Sequence, residues 1–222
     1  CGVKALPGSG FLHNEYGGAL LFYGLHAEAL RQFEIYAQLN PREANPHDSL
    51  GWAYLVIGQP EEALERYTRA LEVNPSFFLA HGGRAWGYAI LGRYDEALNE
   101  LAEEEKVRKR VGANPTEALF MKAFMLSRVG RYREAEPHIL QGIQLADKDD
   151  WWGRPTFELL SALLALEKHN YSLARAGVSR AQKLFPKEPF LPQNPPSQDD
   201  AVMLTHVLAG TAEAWSGRLE AA

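Results

Sequence analysis

Apolar residues return along this chain at spacings of three and four. In the stretch 61–73, Ala63-Leu64, Tyr67 and Ala70-Leu71 fall on one side of a helix, while Glu61, Glu62, Glu65, Arg66 and Arg69 fall on the other. No run shows the strict alternation of a half-buried strand. Extended along the chain, the periodicity predicts helices over 11–23, 26–39, 44–57, 61–73, 78–91, 94–110, 116–129, 132–146, 155–168, 171–184 and 200–216. Gly24, Gly58, Gly92, Gly130 and Gly217 stand where a left-handed residue ends a helix at little steric cost. Asn40-Pro41, Asn74-Pro75 and Asn114-Pro115 mark further ends, because the residue before proline avoids helical geometry.

The pattern repeats. His47 opens HDSLGWAYLVIG, and thirty-four residues later His81 opens HGGRAWGYAILG, with His, Trp, Tyr and Gly in one order. Units numbered 1 to 34 begin at Gly10, Ala44, Phe78, Thr116 and Pro155, with a partial sixth from Met203. Unit position 8 is then Gly17, Gly51, Ala85, Ala123, Ala162 and Gly210, and unit position 20 is Ala29, Ala63, Ala97, Ala135, Ala174 and Ala222. Small side chains in both columns let paired helices cross closely, where a larger group would push their backbones apart.

The residues His47-x-x-Leu50-Gly51-x-x-Tyr54, then Gly58, Ala63, Tyr67, Ala70 and Pro75, resemble the tetratricopeptide repeat, with His47 where that family carries Trp. The resemblance implies an all-α fold, a right-handed α-solenoid of helix-turn-helix units. It divides the chain into an extension at 1–9 and five units at 10–43, 44–77, 78–115, 116–154 and 155–188. A Pro-rich loop at 189–202 and an incomplete sixth unit at 203–222 follow. Three departures stand out. Glu104 occupies unit position 27, where Ala is usual, and the helix through Glu103–Arg110 is expected to run long and project into solvent. Asp147–Trp152 is an insertion. The five prolines between Phe185 and Asp200 cannot continue a helix.

Composition narrows the function. The chain has 222 residues, 46% hydrophobic and 23% charged, with net charge −5. Nothing in that balance draws it toward nucleic acid. No run approaches the roughly 18 apolar residues of a membrane span. One cysteine, Cys1, cannot form an internal disulfide, so the compartment stays open. A cytoplasmic fragment cut from a longer protein is the simpler expectation. A periplasmic chain anchored through a lipid on Cys1 is the alternative.

His13, His47, His81 and His206 share unit position 4. A metal would need its ligand nitrogens about 2.0–2.1 Å away. Equivalent side chains on stacked units instead lie on the order of 10 Å apart, the spacing of packed helices. Neither a metal nor a cofactor is therefore expected. The column reads instead as an imidazole set between adjacent units, partly buried and donating one hydrogen bond. Catalysis lacks support as well. Gly8-Ser9-Gly10 has no strand before it, and Gly82-Gly83 lies inside a helix without the Lys-Ser/Thr of a phosphate loop.

Unit position 9 reads Gly18, Trp52, Trp86, Phe124 and Leu163. In the family that this chain resembles, unit positions 2, 5, 9, 12 and 13 line the groove that receives partners. Carried over, the resemblance gives a peptide-binding groove with Asp48, Trp52, Leu55, Trp86, Ile90, Phe120, Phe124 and Arg128. Aromatic rings suit such a place because they bury much area at low entropic cost. The competing reading has the same rings filling space between helices. Co-chaperone members of the family clamp an acidic tail with Lys and Asn at positions 5 and 9, but no Lys stands at those positions here and Asp48 would repel such a tail.

The expectation is thus a non-catalytic module that binds a protein or peptide segment, with neither nucleic acid nor a membrane as partner. The segment could belong to another domain of the same polypeptide, as in the sensory region of a bacterial kinase, cyclase or winged-helix regulator. An envelope-assembly lipoprotein is a further alternative. An array that stops at Ala222 would also expose the apolar side of its last helix, which invites end-to-end self-association.

Overall fold

The computed structural model describes residues 6–146 and 153–184. Ten helices run through them as five successive pairs. They are α1 (Gly10–Phe22), α2 (His26–Leu39), α3 (Asn45–Val56), α4 (Pro60–Val73), α5 (Phe78–Ile90), α6 (Tyr94–Val111), α7 (Thr116–Arg128), α8 (Tyr132–Leu145), α9 (Gly153–Glu167) and α10 (Tyr171–Leu184). Among the described residues there is no strand. All ten fall within two residues of the helices that the periodicity predicts. The insertion at 147–152, the Pro-rich loop, the sixth unit with His206, and Cys1 lie outside the described residues.

The pairs share one turn. Gly24, Gly58, Gly92 and Gly130 all have φ between +73° and +80°, the left-handed geometry that glycine adopts without a Cβ clash. The next N–H then reaches back into the helix: Leu25 to Leu20, Gln59 to Tyr54, Arg93 to Tyr88 and Arg131 to Leu126, each at 2.8–2.9 Å. The fifth turn closes in the same way, from Asn170 to Ala165 at 2.8 Å, but there the left-handed residue is His169 with φ 54°.

The chain divides into two compact bodies, one ending at Ala113 and the other beginning at Asn114. In the first, α1–α6 pack around a cluster of Leu20, Leu21, Ala29, Phe33, Leu50 and Ala53, then a second of Ala44, Ala63, Tyr67, Ala70 and Ala80. In the second body, Ala162, Ala165, Ala174 and Val178 join α9 to α10.

The described members of the two small-residue columns are buried, and the structure gives the first a sharper cause than a crossing of backbones. A Cβ on Gly17 would lie 2.9 Å from the Phe33 ring, and one on Gly51 would lie 2.9 Å from the Tyr67 ring. Both rings stand at unit position 24. Where position 8 is Ala85, Ala123 or Ala162, position 24 is Leu101, Ile139 or Val178, all of them buried. An aromatic ring faces glycine and an aliphatic chain faces alanine, so each pair fills a similar space at native density.

Candidate functional site

In the first body, α1 touches α3 and α3 touches α5, while the second helices α2, α4 and α6 make no comparable contact with one another. Helices crowd on the inside of a bend, so the first helices line its inner face. Their outward positions carry mostly apolar groups. Phe11 and Phe22 on α1 are 67% and 70% exposed, and Leu79 and Ile90 on α5 are 39% and 55% exposed. Among unit positions 2, 5, 9, 12 and 13 of α1, α3 and α5, the one charged residue is Asp48.

The expected site residues behave differently from one another. Trp52 is half-buried, with its ring edge-on to Phe33 at 6.4 Å between centroids, so it packs the core and still reaches the surface. Trp86, Asp48 and Leu55 are also half-buried, and Leu55 packs against the second apolar cluster. In the second body, Phe120 is 1% exposed. It stacks on Phe124 at 6.0 Å and meets Phe157 edge-on at 6.1 Å, so its ring is core. Phe124 remains half-buried, and Arg128 is exposed at the last turn of α7.

In the histidine column, His13 and His81 bond the helices within a pair rather than between adjacent units. His13 Nδ1 lies 2.8 Å from Gln32 Oε1, and His81 Nδ1 lies 2.8 Å from Glu100 Oε2. Both pair unit position 4 with position 23. Glu100 also takes Arg84 Nη2 at 3.0 Å, which ties α5 to α6 through two cationic or donor groups. In the intervening unit, position 23 is Arg66, which cannot accept a hydrogen bond. His47 Nδ1 is accordingly buried with no hydrogen bond. Burial pushes the His47 imidazole below its ordinary range, with the Arg69 and Arg66 charges adding to the shift and Glu72 opposing it. Among the described residues, no group of three His, Cys, Asp or Glu side chains could hold a metal.

One expectation fails. The helix carrying Glu104 does run long, to Val111, but it does not project into solvent: Glu104, Val107 and Arg108 are 1%, 7% and 5% exposed. Glu104 Oε1 accepts from Arg108 Nε at 2.6 Å, and the guanidinium lies 4.3 Å from the Phe78 ring centre. Gly82 leaves room for the carboxylate, since a Cβ there would lie 3.1 Å from Glu104 Oε2. Mutual neutralisation and a cation–π contact keep both charges inside. The signal was present in the sequence as glutamate and arginine four residues apart on a helix opposite a glycine.

A family description of the tetratricopeptide repeat matches residues 49–115. No curated protein matches the sequence. Similar solved structures include a thermophilic TPR protein of Thermus thermophilus, with TM-score 0.67 and 21% identity over 81% of this chain and 93% of that one. A tetratricopeptide repeat protein of Parabacteroides merdae has TM-score 0.66 and 15% identity over 92% and 75%. Yeast Tom70 has TM-score 0.70 and 13% identity over 95% of this chain, which spans 42% of the Tom70 chain. At such identities the likeness is one of fold. Residues 49–115 thus match the tetratricopeptide repeat, and the described helices share the all-α fold of these solved repeat proteins.

Proposed function

We propose that this chain is a non-catalytic interaction module, and that the inner face of α1, α3 and α5 binds an apolar segment of a protein partner. The observation that carries the reading is the exposure of Phe11, Phe22, Leu79 and Ile90 on the side where Trp52 and Trp86 stand half-buried. Isolated apolar side chains on a surface are ordinary, but a run of them along one face with a single charge favours a partner that removes it from water. The charged pairs that would favour solvent lie on other helices or other faces, as in Arg69–Glu72 and Arg93–Glu96.

Selection of peptides from a displayed random library against the full chain tests this. Enriched peptides are expected to be apolar and to lose affinity at least about tenfold with Ile90→Asp, Leu79→Asp and Trp86→Ala. The two aspartate variants lie at exposed positions and leave helical content intact. Peptides that bind the aspartate variants as tightly as the parent chain would refute the inner face as the site.

A further inference from the structure

We propose that the segment bound by the inner face carries one arginine among its apolar residues, and that this guanidinium seats on the Asp48 carboxylate and the Trp52 indole of α3. The proposal rests on the inner face being the binding surface, and adds the chemistry that selects what binds there.

Asp48 and Trp52 stand four residues apart on α3, so their side chains are neighbours on one face of the helix. Both are half-buried. Asp48 is the one charged residue among the inner-face positions of α1, α3 and α5, which hold neither lysine nor arginine. Trp86 repeats the place of Trp52 on α5. Helix α3 contacts the first helix of the unit before it and of the unit after it, so the pair lies within the row of first helices.

A carboxylate partly withdrawn from water attracts a cation more strongly than an exposed one, because the lower local dielectric weakens the field less. An indole attracts a cation through its electron-rich face, and more so when it is partly desolvated. Arginine answers both groups at once, since its fork donates to a carboxylate while its plane lies against a ring. Lysine brings the same charge without the plane. The chain itself uses this three-part arrangement in its interior: Arg108 donates to Glu104 Oε1 at 2.6 Å, and the same guanidinium lies 4.3 Å from the Phe78 ring centre. On the inner face, the carboxylate and the ring come from this chain and the arginine from the partner.

Charge at longer range has the matching sign. Residues 1–113 hold fifteen Asp and Glu against eleven Lys and Arg, a net −4 out of the chain's −5. Such a field draws in a cationic segment and opposes an acidic one.

The probes are three bead libraries of heptapeptides with arginine, citrulline or glutamate at the centre and Ala, Leu, Ile, Val, Phe and Trp varied around it. Citrulline keeps the shape of arginine and removes its charge. The labelled full chain is expected to bind the best arginine peptide at least about tenfold more tightly than its citrulline counterpart, with glutamate weakest. Asp48→Asn, which keeps the size of the side chain, is expected to abolish that difference and to leave the affinity of the citrulline peptide unchanged. The arginine–citrulline comparison is made on the parent chain and stands whatever Asp48→Asn does to folding. Equal binding of arginine and citrulline peptides, both weakened by Ile90→Asp, overturns the arginine subsite and keeps the inner face as the binding surface. An arginine preference that a folded Asp48→Asn variant retains overturns the subsite as well. Binding of no peptide from any library removes the inner-face reading, and the subsite with it.

Discussion

Gly83→Ala is expected to destabilise the first body although alanine is the better helix former. A Cβ on Gly83 would overlap the Tyr67 ring, which is 3% exposed, and the far side of that ring lies against Gly51, where a Cβ would be 2.9 Å away. The ring is held between two glycines of successive first helices and has nowhere to retreat. Overpacking of this kind costs about 1–3 kcal/mol, and the overlap places it toward the upper end. The gain in helix propensity returns about 1 kcal/mol, so a net loss of about 2 kcal/mol is expected. In a body of this size, that lowers the melting temperature by roughly 8 °C. Tyr67→Leu alone should cost about 1–2 kcal/mol through the space it leaves. The double variant Gly83→Ala/Tyr67→Leu should be no less stable than Tyr67→Leu, giving a coupling of at least about 2 kcal/mol. Urea melts followed by tryptophan fluorescence measure all four corners of this cycle. Gly83→Ala at or above parental stability, or additive single effects, would refute the account of the ring as the reason for the glycine.

Other expectations follow from single contacts. Arg66→Gln supplies the acceptor that Gln32 gives His13, at the expense of the Arg66–Tyr54 contact, and should raise stability by about 0.5 kcal/mol in a urea melt. The folded pKa of His47 lies below its unfolded value of 6.5, so its contribution is fully present above pH 6.5 and is lost as pH falls through the folded pKa. Melts from about pH 7 down to about pH 5 should show that loss, and Arg66→Gln should reduce it. Glu104→Ala should cost about 3 kcal/mol, because Arg108 keeps its buried charge without this carboxylate. Adding Arg108→Met should restore part of that loss, and a double variant worse than Glu104→Ala would count against the buried pair. His169→Gly removes a side chain from a left-handed turn and should stabilise the second body by about 1 kcal/mol in a thermal melt.

The helices are legible in the sequence because their signals are local. Apolar spacing of three and four, glycine after the first helix of each pair and Asn-Pro at unit ends all act within a few residues of where they are read. Burial across helices is not local in that sense. Glu103, Glu104 and Glu105 look alike as a charged run, yet Glu104 alone among them is buried, because Gly82 on the facing helix leaves room for its carboxylate beside Arg108. The same holds for the candidate site. Phe120 and Phe124 are spaced like groove residues, but Phe157, thirty-three residues beyond Phe124, meets the first ring and completes a core. Spacing alone puts Ile90 and Leu79 on an outward helix face, and their exposure agrees with it. The packing role of His13 and His81 is readable from their column, whereas their partners at position 23 require the turn to bring two helices together.

The fit between Gly51 and Tyr67, or between Ala85 and Leu101, sets the smallest piece of this chain that can be exchanged. A graft that moved α3 alone into the place of α5 would set glycine against leucine and leave a hole, and the reverse graft would force alanine into a ring. Whole hairpins carry both halves of the fit with them. Recombination between units should therefore succeed when the joints fall between hairpins and fail when they fall inside the tight glycine turns.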